Sequence, residues 1–209
     1  MRNKVYIFII ILLVLAAATG CGKKAETPEQ AVINALTAVK NMDRETAGKY
    51  FEFDDLFEGD TVAEDDEFME NEETLKLIFN KLSFKVLSSS KAGNDAATVK
   101  VEITNIDMGI IMQEFFPQMF ALALSNAFAG ENAISDEELN EQMKQIYTDL
   151  LKREDNQMKT STVEVMLYSH ENSWKIDAND EFRNAILGGM VAAIEEMEES
   201  FNFDGEAGE

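Results

Sequence analysis

Residues 160–177 read Thr160-Ser-Thr-Val-Glu-Val-Met-Leu-Tyr-Ser-His-Glu-Asn-Ser-Trp-Lys-Ile-Asp177. From Thr162 to Tyr168 apolar and polar side chains alternate. A period of two sends neighbours to opposite faces, so this run predicts a strand with one buried face. Ser173–Asp177 pairs back onto it across His170-Glu-Asn172, which makes a hairpin. A second hairpin lies upstream. Ser83–Ser90 and Ala96–Ile106 carry the same alternation, in Phe84 and Val86 and in Val99, Val101 and Ile103. Lys91-Ala-Gly-Asn-Asp95 between them has the chemistry of a hairpin loop. Two antiparallel hairpins separated and flanked by helical sequence define an α+β chain, helices packed on an antiparallel sheet.

The helical segments announce their starts. Thr27-Pro-Glu-Gln30 offers a cap, a proline at the first helical position and Gln at the capping-box position, with Ala31, Val32, Ala35, Leu36 and Val39 on one stripe. Asp43 caps a short helix leading through Ala47 to Tyr50 and Phe51. Asn71 caps one bearing Leu75, Ile78, Phe79 and Leu82. Asp107–Ala129 is apolar around most of its circumference, with Gln113, Glu114, Pro117, Gln118, Ala121 and Ser125 as its polar strip. Such a helix must be buried on several sides, in this protein or against a partner. It is not a membrane span, because Glu114, Pro117 and Gln118 interrupt it. Ser135-Asp-Glu-Glu138 is a capping box for a helix to about Gln157, with Leu139, Met143, Ile146 and Leu150 inward. One last helix from Asn179 or Asp180 carries Phe182, Ile186, Met190, Val191 and Ile194, with Gly188-Gly189 as a weak point.

Composition narrows the function. The chain has 209 residues, 40 Asp+Glu against 18 Lys+Arg, a net charge of -22, one Cys and one His. Such an excess of acid repels a phosphate backbone, so nucleic acid is excluded as a partner. One Cys and one His make neither a disulfide nor a thiolate–imidazole metal cage, and no cofactor or metal is expected. Acid is concentrated: 12 of the 22 residues from Glu52 to Glu73 are acidic, and 7 of the 15 from Glu195 onward. Neither stretch contains a base.

Arg2 and Lys4 precede an apolar run from Val5 to Ala18. The run is shorter than the roughly 20 residues of a bilayer span and fits the core of an export signal. Ala18-Thr-Gly-Cys21 resembles the lipobox of bacterial lipoproteins, in which the Cys becomes the acylated first residue. That resemblance implies lipidation at Cys21, an anchor of two or three acyl chains, and residence at the extracytoplasmic face of the cell membrane. On this reading residues 1–20 are a lipoprotein signal peptide, 21–26 a short tether reaching about 20 Å, 27–201 a single domain with a helical insertion at 107–158, and 202–209 an acidic tail. Loss of Arg2 and Lys4 takes the charge from -22 to -24. Lys23 and Lys24 stand where they can meet head groups, though simple solvation is the preferred account of them.

The order helix, helix, acidic segment, helix, hairpin, two-helix insertion, hairpin, helix, together with Thr27-Pro-Glu-Gln-Ala-Val32, Asn41-Met-Asp43 before Ala47-Gly-Lys-Tyr-Phe51, and Ser173-Trp-Lys-Ile-Asp177, resembles the cystatin-like lipoproteins of the nuclear-transport-factor-two-like superfamily. The resemblance spans about two thirds of the expected mature chain. It implies helices on a curved antiparallel sheet, forming a cone that in some members is a ligand pocket or active site. The insertion at 107–158 and the helix after Asp180 depart from the minimal form. Most such lipoproteins have no assigned activity, so architecture and location are implied more than function. Enzymes of the superfamily often place an Asp or His inside the cone, with its pKa raised by burial.

Among the candidate residues, His170 sits at a hairpin turn, where no preorganised base is expected. Glu102 and Glu164, one on each hairpin, are the strand carboxylates for an enzymatic reading, but their alternation with valines and Ile103 places them on the solvent face. Asp54-Asp-Leu-Phe-Glu-Gly-Asp60 lacks the spacing of a calcium loop, and a solvated acidic face is the default. Met112, Phe116, Met119, Tyr168 and Trp174 are the candidate pocket lining; Phe84 and Met108 are grouped with them, and core packing is the competing account. The expected function is a non-catalytic binding or interaction domain for a small apolar ligand, a peptide or an envelope protein. The alternative is a superfamily-type isomerase or hydrolase using a buried carboxylate base.

Overall fold

The computed structural model describes residues 25–57, 71–171 and 173–201. The leader, Cys21, Lys23, Lys24, residues 58–70 of the acidic segment and the tail beyond Phe201 lie outside the described residues.

Helix α1 (Pro28–Lys40) starts where Thr27 Oγ1 accepts from the Gln30 N–H at 3.3 Å, and it buries Ala31, Val32, Ala35, Leu36, Ala38 and Val39. Asp43 accepts from Thr46 N at 3.0 Å to open the single turn α2 (Arg44–Ala47). A 3-10 turn follows at Phe53–Leu56. Asn71 accepts from Glu73 N at 2.9 Å at the head of α3 (Glu72–Phe79). Phe53, Phe57 and Phe79 meet ring to ring at 6.1 to 6.4 Å, which seals this corner.

Four strands follow, β1 (Ser83–Ala92), β2 (Ala96–Ile106), β3 (Met158–His170) and β4 (Ser173–Ile176), joined antiparallel in sequence order into one curved sheet. Val101 lies between Val86 and Val163, and Ile103 between Phe84 and Ser161. The register of β1 shifts between Val86 and Ser88. One extra residue there leaves Leu87 exposed. The helix-covered face of the sheet is dry: Val99, Val101, Ile103 and Val165 are completely buried, joined by Val163, Leu167, Trp174 and Ile176. Each such side chain contributes about 1.5–3 kcal/mol by leaving water. The chain's own helices fill that face, and core residues from all layers form a single cluster. The fold is α+β, helices on one face of an antiparallel sheet.

Between β2 and β3 the chain makes a helical hairpin, α4 (Met108–Ala127) and α5 (Asp136–Lys152). Ser135 and Glu138 form the reciprocal capping box that their spacing predicts. Only Met108, Ile111, Met112 and Phe115 of α4 are buried, so of the two covers expected for this helix, this protein or a partner, the described residues supply the first over its opening half alone. The cause is geometric. The first half of α4 joins the core, with Phe115 packed on Tyr147 of α5 at 5.1 Å, whereas no residue of the second half is buried and the start of α5 is itself mostly exposed. The inner face of α5 is likewise displaced toward Tyr147, Leu150 and Leu151; Leu139, Met143 and Ile146 are only partly covered.

The carboxyl-terminal segment forms two helices, α6 (Asp180–Ile186) and α7 (Met190–Phe201), not the single one expected from sequence. Gly188 and Gly189 adopt φ of 60° and 86°, a left-handed conformation that stops a helix. A Cβ on Gly188 would lie 1.9 Å from the Ile106 carbonyl oxygen, and that close approach lets Met108 N donate to Gly188 O at 2.9 Å. Asn105, fully buried, donates to Ile186 O at 2.7 Å while its Oδ1 accepts from Ile106 N at 2.9 Å. The end of β2, the start of α4 and the α6–α7 turn are thereby fixed together.

Candidate functional site

The same fixing creates the site. Asp107 N donates to Gln157 O at 2.8 Å, and Asp107 Oδ1 accepts from Ile110 N at 3.4 Å. Helix α4 therefore departs from a point held by both Gln157, just before β3, and the α6–α7 turn, and α7 leaves alongside it. At Gly109 the helices approach closely: a Cβ there would be 3.9 Å from the Ala193 Cβ. As they diverge they leave a groove of about 460 Å³, within the usual range for ligand sites. Met112, Phe116 and Phe120 of α4 form one wall at a spacing of four residues, and Ala193 and Met197 of α7 form the other. Gln113, Pro117 and Glu196 lie at its margins.

Beyond the groove the stripe continues onto the surface. Phe120 is 63% exposed, Leu124 46% and Phe128 82%. Met112, Phe116, Phe120 and Leu124 thus run at intervals of four from the core to open solvent on one helix, with Phe128 at its C-cap. Pro117 lacks the N–H that would bond Gln113 O in a regular helix, and Gln118 Nε2 donates to the neighbouring Glu114 carbonyl at 2.8 Å. On the flank of α4, Glu114 pairs with Arg153. The groove thus offers apolar contact with a carboxylate at its edge.

Of the five residues proposed from sequence as pocket lining, the structure brings Met112 and Phe116 together in this groove. Met119 packs partly against the core on another side of α4. Trp174 is buried at the far end of the sheet, where its Nε1 donates to Glu26 O at 3.0 Å and Lys91 Nζ lies 5.6 Å from its ring. Tyr168 is 52% exposed on the uncovered face of the sheet, opposite Ala96 and Lys175. Phe120, Ala193, Glu196 and Met197 were not picked out from sequence. The four-residue period through Phe120 was a usable signal; the wall from α7 had none, because it depends on the turn at Gly188.

The other candidates stand apart. Glu102 faces Lys85 and Thr162 on the uncovered side of the sheet, and Glu164 is exposed opposite Lys100. His170 is exposed, and its carbonyl accepts from Ser173 Oγ at 2.7 Å. Asp54 pairs with Arg44 at 2.8 Å, and that guanidinium also stacks 4.6 Å over the Phe53 ring. Among the described residues no three His, Cys, Asp or Glu side chains gather as a metal site, and no helix is long and apolar enough to cross a membrane. Residues 58–70, with most of the acidic segment considered for calcium, lie outside this description.

At the amino-terminal edge Glu26 gathers several groups. Tyr50 Oη donates to Glu26 Oε1 at 2.8 Å and Asn34 Nδ2 to the same oxygen at 2.6 Å, while Gln30 Nε2 donates to Asn34 Oδ1 at 2.8 Å. Burial first, and the neighbouring Glu26 second, push the Tyr50 hydroxyl above its ordinary pKa. This network ties the start of the described chain to α1 and β4.

No curated protein and no solved structure matches the chain. A family model does match, over residues 34–190, from within α1 to the first residue of α7 and including the whole sheet and the helical hairpin. The chain belongs to that family, described as a domain of unknown function, DUF5105.

Proposed function

We propose that the protein is an exported lipoprotein, acylated at Cys21 and held at the extracytoplasmic face of the cell membrane. Its cystatin-like domain binds a small apolar ligand, a peptide or an envelope protein and performs no catalysis. The leader and the Ala18-Thr-Gly-Cys21 sequence support the anchoring. The observation that supports binding is the α4–α7 groove continuing into exposed Phe120, Leu124 and Phe128. Large apolar side chains grouped on one exposed stripe mark an interaction site more than they contribute to a fold. The two strand carboxylates suggested for an enzyme face away from the helix layer and lend that alternative no support.

Native mass spectrometry of the protein purified from its own host tests this function. The expected spectrum carries a bound species that is lost in a Phe120→Ser/Phe128→Ser protein. An unliganded, unpartnered wild type overturns the binding assignment. Separately, intact-mass analysis is expected to show an acyl increment at Cys21, and Cys21→Ser to release the protein from the membrane fraction. A wild-type mass without the increment removes the anchor.

A further inference from the structure

We propose that the α4–α7 groove receives a basic amphipathic helix of a partner protein. The inference rests on the binding assignment above and adds the chemistry of the occupant. Shape comes first. The row from Met112 to Phe128 spans 17 residues, about 24 Å at ~1.5 Å per rise, and turns about 40° around the axis at each step of four. A helix of about four turns crossing α4 obliquely, as i±4n ridges pack, has a footprint of this kind, longer than a small ligand would cover. Met112 and Met197 among the lining residues adapt to varied apolar partners, as thioether side chains do in helix-receiving grooves.

Charge selects the class of helix. No Lys, Arg or His occurs between Lys100 and Lys144, a stretch with eight acids that contains all of α4 and the start of α5. None occurs after Arg183, where seven acids follow. Both walls are therefore free of cations of their own. Glu196 borders the groove, Glu195 and Glu199 are exposed on α7, and Asp136, Glu137, Glu138 and Glu141 are exposed on the neighbouring α5. Of the bases beside these elements, Arg153 pairs with Glu114, and Lys159 lies over Gly189 at the turn before α7. An apolar groove edged by Glu196, in walls that carry acids and no base, is complementary to an apolar stripe flanked by Lys or Arg. A second copy presenting this same face would bring acid against acid. The chain's own tail after Phe201 carries three acids and no base, and an anionic lipid surface has the same sign. Each is repelled where a cationic helix is attracted.

The test uses the full chain in nanodiscs of zwitterionic lipid, with ¹³C-methyl methionine as the reporter. Three synthetic 16-residue peptides are titrated: an amphipathic Leu/Lys helix, a Leu/Glu helix with the same apolar face, and a scrambled Leu/Lys peptide without one. The Leu/Lys helix is expected to bind at least tenfold more tightly than either control. It should move the Met112 and Met197 methyl signals and leave Met166, on the uncovered face of the sheet, unshifted. Phe120→Ser/Phe128→Ser should weaken binding tenfold or more, and Glu196→Gln should lower its salt dependence; these positions are exposed, and circular dichroism checks that the fold is retained. Equal binding of the Leu/Lys and Leu/Glu helices overturns the basic class and leaves the apolar groove standing. Equal binding of the scrambled peptide reduces the effect to net charge and also overturns the proposal. If no peptide shifts Met112 and Met197, the groove assignment fails as well. A wild-type dimer dissolved by the Phe substitutions would identify a second copy as the occupant and overturn it too.

Discussion

Asn105, Gly188 and Tyr50 each perform a task that neighbouring residue types could not. Asn105 satisfies one buried carbonyl and one buried N–H on two different elements. Asn105→Ala strands both and is expected to cost about 2–4 kcal/mol, from ~1–3 kcal/mol per unsatisfied buried group, measured by urea denaturation. Asn105→Asp should retain the acceptor and lose the donor, so its cost tells the two bonds apart. Gly188→Ala must adopt φ near 60° with its Cβ against the Ile106 carbonyl. A loss on the order of 3 kcal/mol is expected, together with loosening of the Met108 N to Gly188 O bond visible as faster amide exchange at Met108. Tyr50 makes a pH prediction. Its pKa is raised in the folded state by burial and by Glu26, so the neutral phenol is favoured there. Its contribution is complete below the unfolded value, about 10, and disappears as pH rises through the higher folded value. The urea midpoint of wild type should therefore fall more steeply above about pH 10 than that of Tyr50→Phe; parallel profiles would show that neither burial nor Glu26 favours the neutral phenol in solution.

Helix α4 behaves as two elements joined at Pro117. Phe115→Ala removes a side chain packed on Tyr147 in the core, and a loss of about 3–5 kcal/mol is expected. Phe128→Ser, at 82% exposure, should change stability by less than about 0.5 kcal/mol. The same pair of residues read on binding should reverse in order, which makes the contrast a test of the groove as well as of the packing. What could be read from sequence follows the same division. Thr27, Asp43, Asn71 and Ser135 each cap a helix where expected, because a cap satisfies N–H groups two or three residues away and leaves its mark in adjacent sequence. β2 begins and ends as its alternation predicts. The break in the carboxyl-terminal helix and the extent of the chain's own cover over α4 are not legible in the sequence, for a common reason. The approach of Gly188 to Ile106 spans more than eighty residues of chain, and periodicity reports which face of a helix is apolar but not what covers it. The groove inherits both problems, since one wall depends on the Gly188 turn and the other on where the cover over α4 ends.

Across the whole molecule, self-repulsion and specific carboxylate bonds act in opposite directions. The five ion pairs among the described residues are mostly exposed, and pairs of that kind contribute about 0–1 kcal/mol each. Against them stands an excess of 22 negative charges, which the folded state holds closer together than the unfolded chain does. Three carboxyls, Glu29, Asp43 and Glu72, are held below their ordinary pKa, chiefly by a backbone N–H, by Thr46 and by Lys76 respectively. Lowered folded values mean that these contribute stability above the ordinary carboxylate range, and that it is lost as pH falls through them. Between pH 7 and about 5 they stay ionised and weigh little, whereas the summed repulsion weighs most at neutral pH. Repulsion therefore decides the neutral behaviour. Raising NaCl from 10 mM to 0.3 M shortens the screening length from about 30 Å to several Å and is expected to raise the thermal midpoint by several degrees, as ~1–2 kcal/mol does in a chain of this size. A midpoint that falls with salt at pH 7 would assign the balance to the ion pairs instead, and would require the acids on α5 and α7 to be matched by bases within the same molecule.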